Sequence, residues 1–270
     1  MPDGCALAFE GVSKRFRKDV LALDDVSWSV QFGARACLLG PNGAGKSTSI
    51  RLLEGALQPT AGRVSLLGAA VTGPDYLAAR RRVGIVPQGP GMYRDLSVRD
   101  YLELARRLYG RGDVEQVLDA MGLARYRERA LADLSGGYQR RAVIAAALLP
   151  SPDLVLLDEP TVGLDPVAVH EVHTQLREAM TGRTTLLCTH NLAEAETLCD
   201  EVVILRGGKV LVQSSIAELR TRARKQMRFA ARQPANRLVE SLRRKGLETT
   251  LDADLRGVLV PVSDPAADTP

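Results

Sequence analysis

The sequence predicts an α/β fold: a mostly parallel sheet, a small antiparallel N-terminal sheet, an all-helical insertion and a small α/β C-terminal extension. Three observations lead there. Apolar runs of four or five residues without alternation recur along the chain, as in strands buried on both faces of a parallel sheet. Helical patterns separate them. Between Gly91 and Leu149 three helical stretches follow one another with no strand among them.

Each element has its own justification. Leu7-Ala8-Phe9 and Val26–Phe32 alternate better than the later runs and predict the antiparallel sheet. Ala36–Leu39 reads as a buried strand, followed by a Gly-rich turn and a helical stretch, Ser47–Glu54. Val83–Val86 is a strand ending at Pro87. The insertion, about 91–149, carries helices over Ser97–Tyr109, Val114–Met121 and Gln139–Leu149. Leu154–Leu157 ends at Asp158-Glu159-Pro160, Thr184–Cys188 at Thr189-His190, and Val202–Leu205 at Gly207-Gly208. The first domain is expected over 1–219 and the extension over 220–270. In the extension, Gln226–Ala231, Leu247–Leu251 and Gly257–Val262 read as strands and Asn236–Lys245 as a helix, with a frayed tail after them.

Composition narrows the function classes. The chain has 270 residues, 45% hydrophobic and 25% charged, which is ordinary for a globular protein. Aromatic residues are only 4%, which argues against a stacking platform for single-stranded nucleic acid. The longest apolar run, Ala142–Pro150, falls short of the ~20 residues of a spanning helix. No secretory signal is visible, and the four cysteines form no CxxC pair, so a cytosolic chain is expected. The net charge of +4 is uneven: residues 220–245 hold ten Lys or Arg and one acid, Glu240. That block reads either as a solvated helix face, with Ile216, Leu219, Ala223 and Met227 as its apolar stripe, or as a weak contact for an anionic membrane leaflet.

The segment Gly40-Pro41-Asn42-Gly43-Ala44-Gly45-Lys46-Ser47-Thr48 fits G-x-x-x-x-G-K-[ST] between a strand and a helix. Its glycines let backbone N–H groups curl inward, and the helix N-terminus adds its positive end. Lys46 can reach the β and γ phosphates, and Ser47 can hold Mg²⁺. This predicts binding of a nucleoside triphosphate. Asp158 and Glu159 end an apolar strand, where ligands bind in open α/β sheets. Asp158 can hold Mg²⁺ through water, and Glu159 can orient and deprotonate an attacking water. His190, after the next strand, suits a γ-phosphate sensor or a polariser of that water. His170 and His173 form an H-x-x-H pair without further ligands at metal spacing. Leu134-Ser135-Gly136-Gly137-Tyr138-Gln139 is a second anion-binding helix start, redundant in a monomer but useful against a nucleotide held by another subunit.

Together these motifs resemble the ATP-binding cassette (ABC) ATPases, from about Leu7 to Leu219. The resemblance implies a P-loop NTPase (RecA-like) core, with Phe16 as the A-loop aromatic and Gly40–Thr48 as Walker A. It implies Gln88 as the Q-loop residue, Ser135-Gly136-Gly137 in the signature and Asp158 in Walker B. Glu159 would be the catalytic base, Gly163-Leu164-Asp165-Pro166 the D-loop and His190 the H-loop. Phe16 stands where Tyr is usual, and Tyr138 where Gln or Met is usual; Arg140 and Arg141 after the signature fit the family. The resemblance further implies ATP and Mg²⁺ as cofactors, with Ser47, Gln88 and Asp158 around the metal and Asp165 near the nucleotide. It implies a second ABC ATPase subunit, as a homodimer, and a separate membrane permease. It also implies a cytoplasmic location, peripheral at the membrane, and ATP hydrolysis coupled to transport. No nucleic-acid partner is expected. The run Met92–Leu102, ending near Leu108-Tyr109-Gly110, resembles exporter ATPases for drugs, polysaccharides, lipo-oligosaccharides, haem or sodium. The alternative from the same motifs is an ABC ATPase of the iron–sulfur assembly type, uncoupled from transport. A different class, a nucleic-acid binding module with structural ATP, rests on the basic block alone.

Overall fold

A computed structural model describes residues 4–17, 20–89 and 93–222, and beyond them 226–230, 239–240, 243, 250–251 and 257–261. The chain divides into two compact units, Met1–Ile216 and Ala217–Pro270. The first unit opens with β1 (Cys5–Arg15), β2 (Leu21–Gln31), β3 (Arg35–Leu39), α1 (Lys46–Leu53), β4 (Ala61–Leu66) and β5 (Ala69–Ala70). It continues with α2 (Tyr76–Arg80), β6 (Val83–Val86), α3 (Val98–Tyr109), α4 (Val114–Ala120) and α5 (Gly136–Leu148). Then come β7 (Leu154–Asp158), α6 (Pro166–Ala179), β8 (Thr184–Thr189), α7 (Leu192–Leu198), β9 (Glu201–Arg206) and β10 (Lys209–Ser215). Helix α8 (Ile216–Arg222) leads into the second unit.

One sheet runs in the order β10-β9-β3-β8-β7-β6. Strand β3 pairs in parallel with β8 and β9, β7 pairs in parallel with β8 and β6, and only β10 is antiparallel. The apolar runs explain this: every residue of β7 and β8 is buried, as a strand covered on both faces requires. The parallel direction brings the C-terminal ends of β3, β6, β7 and β8 to one edge. Gly40, Pro87, Glu159 and His190 therefore emerge there together. A second sheet, β2-β1-β4-β5, is antiparallel throughout. Its inner face supplies Leu7, Phe9 and Trp28 to the core, with Phe9 and Trp28 stacked at 4.5 Å between ring centroids.

The helical stretches expected in the insertion form α3, α4 and α5. Ser97 caps α3 by accepting from the Asp100 N–H, which explains the start of that helix. Helix α5 begins three residues before the expected Gln139, directly at Gly136 with Ser135 as N-cap. Strands β4, β5 and β10 carried no clear apolar signal. In the second unit β13 (Gly257–Pro261) pairs antiparallel with β11 (Gln226–Ala230) and with β12 (Thr250–Leu251). Met227 therefore lies on β11, and the helical stripe drawn from Ile216 to Met227 does not hold: the helix has ended before it. The expected helix over 236–245, most of the basic block and the tail fall largely outside the described residues.

Candidate functional site

A cavity of about 490 Å³ opens at the sheet edge, lined by Phe16, Asn42, Gly43, Gly45, Lys46, Ser47, Thr48, Gln88 and Glu159, among others. The loop before α1 needs its glycines. A Cβ on Gly40 would lie 2.4 Å from the Leu205 carbonyl oxygen. Gly45 has φ of 111°, and a Cβ there would lie 2.6 Å from the Leu23 side chain. Pro41 and Ala44 complete the turn, where the Ala44 N–H donates to the Pro41 carbonyl at 3.2 Å. Lys46 is buried, and its Nζ donates to the Gly40 carbonyl at 2.7 Å and lies 3.4 Å from Glu159 Oε1.

Glu159 follows β7 with φ of 47°, a left-handed backbone that costs a non-glycine residue about 1–3 kcal/mol. Its N–H donates to the Cys188 carbonyl at 2.8 Å. Its carboxylate meets His190 Nδ1 at 2.8 and 3.0 Å, so the acid sits between an ammonium and an imidazole. Asp158 is buried, and its Oδ1 has no hydrogen-bond partner among the described residues. Burial, and then the neighbouring Glu159, push its carboxyl above the ordinary range, against the pull of Lys46 and Arg140. Asp158, Ser47 and Gln88 line a second cavity of about 270 Å³. An orphaned carboxylate oxygen beside a hydroxyl and an amide oxygen is a hard donor set that fits Mg²⁺.

Phe16 borders the main cavity, half open to solvent at 37% exposure, with Lys14 Nζ 5.3 Å from its ring centre. Ser135, Gly136 and Gly137 do not line that cavity among the described residues. Ser135 and Gly136 are exposed, and the Ser135 hydroxyl makes no capping bond. Gly137 is buried against α6, where a Cβ would lie 3.0 Å from that of Ala168. Tyr138 has its own partners: the Arg125 guanidinium donates to its hydroxyl at 2.8 Å, and the Tyr126 ring lies 4.5 Å away. Asp165 caps α6 by accepting from the Val167 and Ala168 N–H groups, so its carboxylate already has a structural task.

Two polar groups matter whose contacts sequence reasoning did not foresee. Arg140 is buried and donates to four backbone carbonyls around Pro87 and Asp158–Pro160. Glu194 is 1% exposed and accepts from Thr161 at 2.7 Å, with His173 Nε2 at 3.2 Å. Burial alone would raise its carboxyl, but hydrogen bonds from His173, Thr189 and Thr161 hold it below the usual range. His173 thus has a carboxylate partner, while His170 is exposed. The pairing of α6 with α7 carries no spacing signal, so sequence alone could not have found it.

The family profile described as "ABC transporter" matches residues 23–162. The chain belongs to the ABC transporter family. It is an ATP-binding ATPase of the cassette type, and the P-loop α/β fold is that of its structural neighbours. The "Nod factor export ATP-binding protein I" of Ralstonia nicotianae is 38% identical over 222 residues, 80% of this chain and 68% of that protein. Its namesake in Burkholderia thailandensis is 40% identical over 215 residues, 77% and 70%. Among solved structures, "cbiO1 from clostridium perfringens", "part of the ABC transporter complex cbiONQ", superposes at TM-score 0.72 with 25% identity over 90% of this chain and 98% of that one. The ATP-binding cassette MJ0796, described as a dimer in a post-hydrolysis state with ADP and Pi, gives 0.69 and 25% over 78% and 98%. No described helix of this cassette is long and apolar enough to cross a membrane.

Proposed function

We propose that this cassette drives export: ATP closes a two-subunit clamp, hydrolysis opens it, and a separate membrane permease carries the substrate. The observation that carries the hydrolytic part is Glu159, held between Lys46 and His190 at the wall of the main cavity. Export over the uncoupled iron–sulfur alternative rests on relatives named for export. The basic segment 220–245 adds a weak attraction to the inner leaflet, at about 1 kcal/mol per side chain at most. The subunit works on the cytoplasmic face.

The geometry supports a division of labour. The amides of Gly43 to Ser47 and the Lys46 ammonium receive the β and γ phosphates. Phe16 stacks on the adenine. Ser47, Gln88 and Asp158 would hold Mg²⁺, and the ion would supply positive charge against the phosphates. Glu159 takes a proton from the attacking water, worth about 10²–10⁴-fold in rate, and His190 keeps the carboxylate aimed. Exposed Ser135 and Gly136, with the Gly137 amide behind them at the helix start, would close on the γ-phosphate held by a second copy. Asp165, already a helix cap, would act there through the backbone it fixes. Because the signature binds a γ-phosphate that ADP lacks, closure is stabilised only by that difference in affinity.

The test is Glu159→Gln. Turnover should fall at least about a hundredfold while ATP binding survives and the pair becomes long-lived with Mg²⁺ and ATP. Parental turnover in that variant would refute the assignment.

A further inference from the structure

We infer that Arg140 is a positioning residue for hydrolysis: its single guanidinium, rooted on the signature helix α5, pins the backbone of Asp158–Pro160 and the end of the Q-loop strand. The inference rests on the reading of Glu159 as the base.

The contacts set the argument. Arg140 Nε donates to the Pro160 carbonyl at 2.6 Å and Nη1 to the Pro87 carbonyl at 2.6 Å. Nη2 donates to the carbonyls of Asp158 and Glu159, each at 3.3 Å. No carboxylate lies within ion-pair distance of it among the described residues. A buried arginine ordinarily pairs with a carboxylate, and an apolar side chain would suit this helix better, since Ala142 to Leu148 are all buried. Burial lowers Arg140 to about 10, so it keeps its charge at neutral pH despite the cost.

What the charge holds is the strained turn. Glu159 has φ of 47°, and that conformation aims its carboxylate at Lys46 and His190. A left-handed non-glycine persists only when its surroundings over-determine it. Cys188 accepts from its N–H on one side, and Arg140 grips its carbonyl and the next one on the other. The same fork reaches Pro87. The adjoining Gln88 borders the main cavity, the cavity of Asp158 and Ser47, and a third, about 160 Å³, that includes Gly136 and Arg140. A planar guanidinium can serve two segments at once; an ammonium on a flexible stem cannot match that spread.

The test uses the full chain with Arg140→Met, which keeps a linear stem without donors, and Arg140→Lys, which keeps the charge. Turnover with Mg²⁺ and ATP, binding of a fluorescent ATP analogue at low protein concentration, and melting temperature are measured together. Arg140→Met should lower kcat about tenfold to a hundredfold, with analogue affinity and KM within about threefold of the parent. Arg140→Lys should fall between the two. Parental kcat in Arg140→Met, or full rescue by Lys, overturns the inference. So does a parallel loss of kcat and affinity, which marks a merely structural role. If Arg140→Met does not fold, Arg140→Lys decides: reduced kcat at kept affinity supports the bridge, and any other result overturns it. Glu159→Gln is run beside them. Parental turnover there means the base is misassigned; turnover lost there but parental in Arg140→Met means Arg140 alone is.

Discussion

Replacing Asp158 with Asn should stabilise the nucleotide-free protein while stripping it of stabilisation by Mg²⁺ and ATP. The Asp158 carboxylate is buried, one of its oxygens has no hydrogen-bond partner among the described residues, and Glu159 stands next to it. Burial, and then that neighbour, raise its pKa above the ordinary aspartate value. For an acid the sign is then fixed: the fold holds the proton more tightly than the unfolded chain does. Ionisation therefore destabilises the fold as pH climbs from the ordinary aspartate range through the raised value, and the full cost stands above it. An uncompensated buried polar group costs about 1–3 kcal/mol, and Asn keeps part of that desolvation while losing the charge. A gain of about 1 kcal/mol is expected, or roughly 2–4 °C in melting temperature for a chain of this size. The parent, at ligand a hundred times above Kd, should gain about 2.7 kcal/mol from Mg²⁺ and ATP, and the variant much less. Thermal melting at pH 7 in chelator, then with Mg²⁺ and ATP, reads both. A variant that melts no higher than the parent in chelator would refute the desolvation argument. One that keeps the full ligand shift would refute the metal assignment.

Three other outcomes are expected. Ser135→Arg should leave nucleotide affinity of the dilute protein near the parental value yet abolish turnover; loss of binding in the dilute protein would place the signature in the wrong subunit. Phe16→Ala should weaken ATP binding at least about fivefold without changing the melting temperature, because stacking on a base is worth about 1–3 kcal/mol. Equal affinity would remove Phe16 from the site. Glu194→Gln should destabilise by about 1–3 kcal/mol at pH 7. Since the fold depresses this carboxyl below the ordinary glutamate value, that stability is present above the unfolded pKa and is lost as pH falls through the folded one. Urea titrations at pH 7 and pH 4 should show the gap narrowing; a constant gap would contradict the network.

The parts of the site that touch phosphate were legible because their chemistry dictates residue type and spacing together. A loop that curls around an anion needs glycines where Gly40 and Gly45 stand, and a lysine after them. The doubly buried strands were equally plain, since β7 and β8 must be apolar along their whole length. What escaped was long-range and polar. Arg140 reads in one dimension like any charge after a helix start, and nothing local says that its fork ends on Pro87 and Pro160. Glu194 and His173 share a bond across two helices. Strand β10 escaped because most of its residues are at least partly exposed, so it shows no buried run.

The seam between α5 and α6 has a wider consequence. At Gly137 and Ala168 the two helices meet across the smallest side chains there are, with room for no added methyl unless the neighbour gives way. One helix starts at the serine–glycine turn and the other at the Asp165 cap. Bulk gained on one side of the seam must then be surrendered on the other. Engineering that retunes one turn will have to recut both helices as a matched pair.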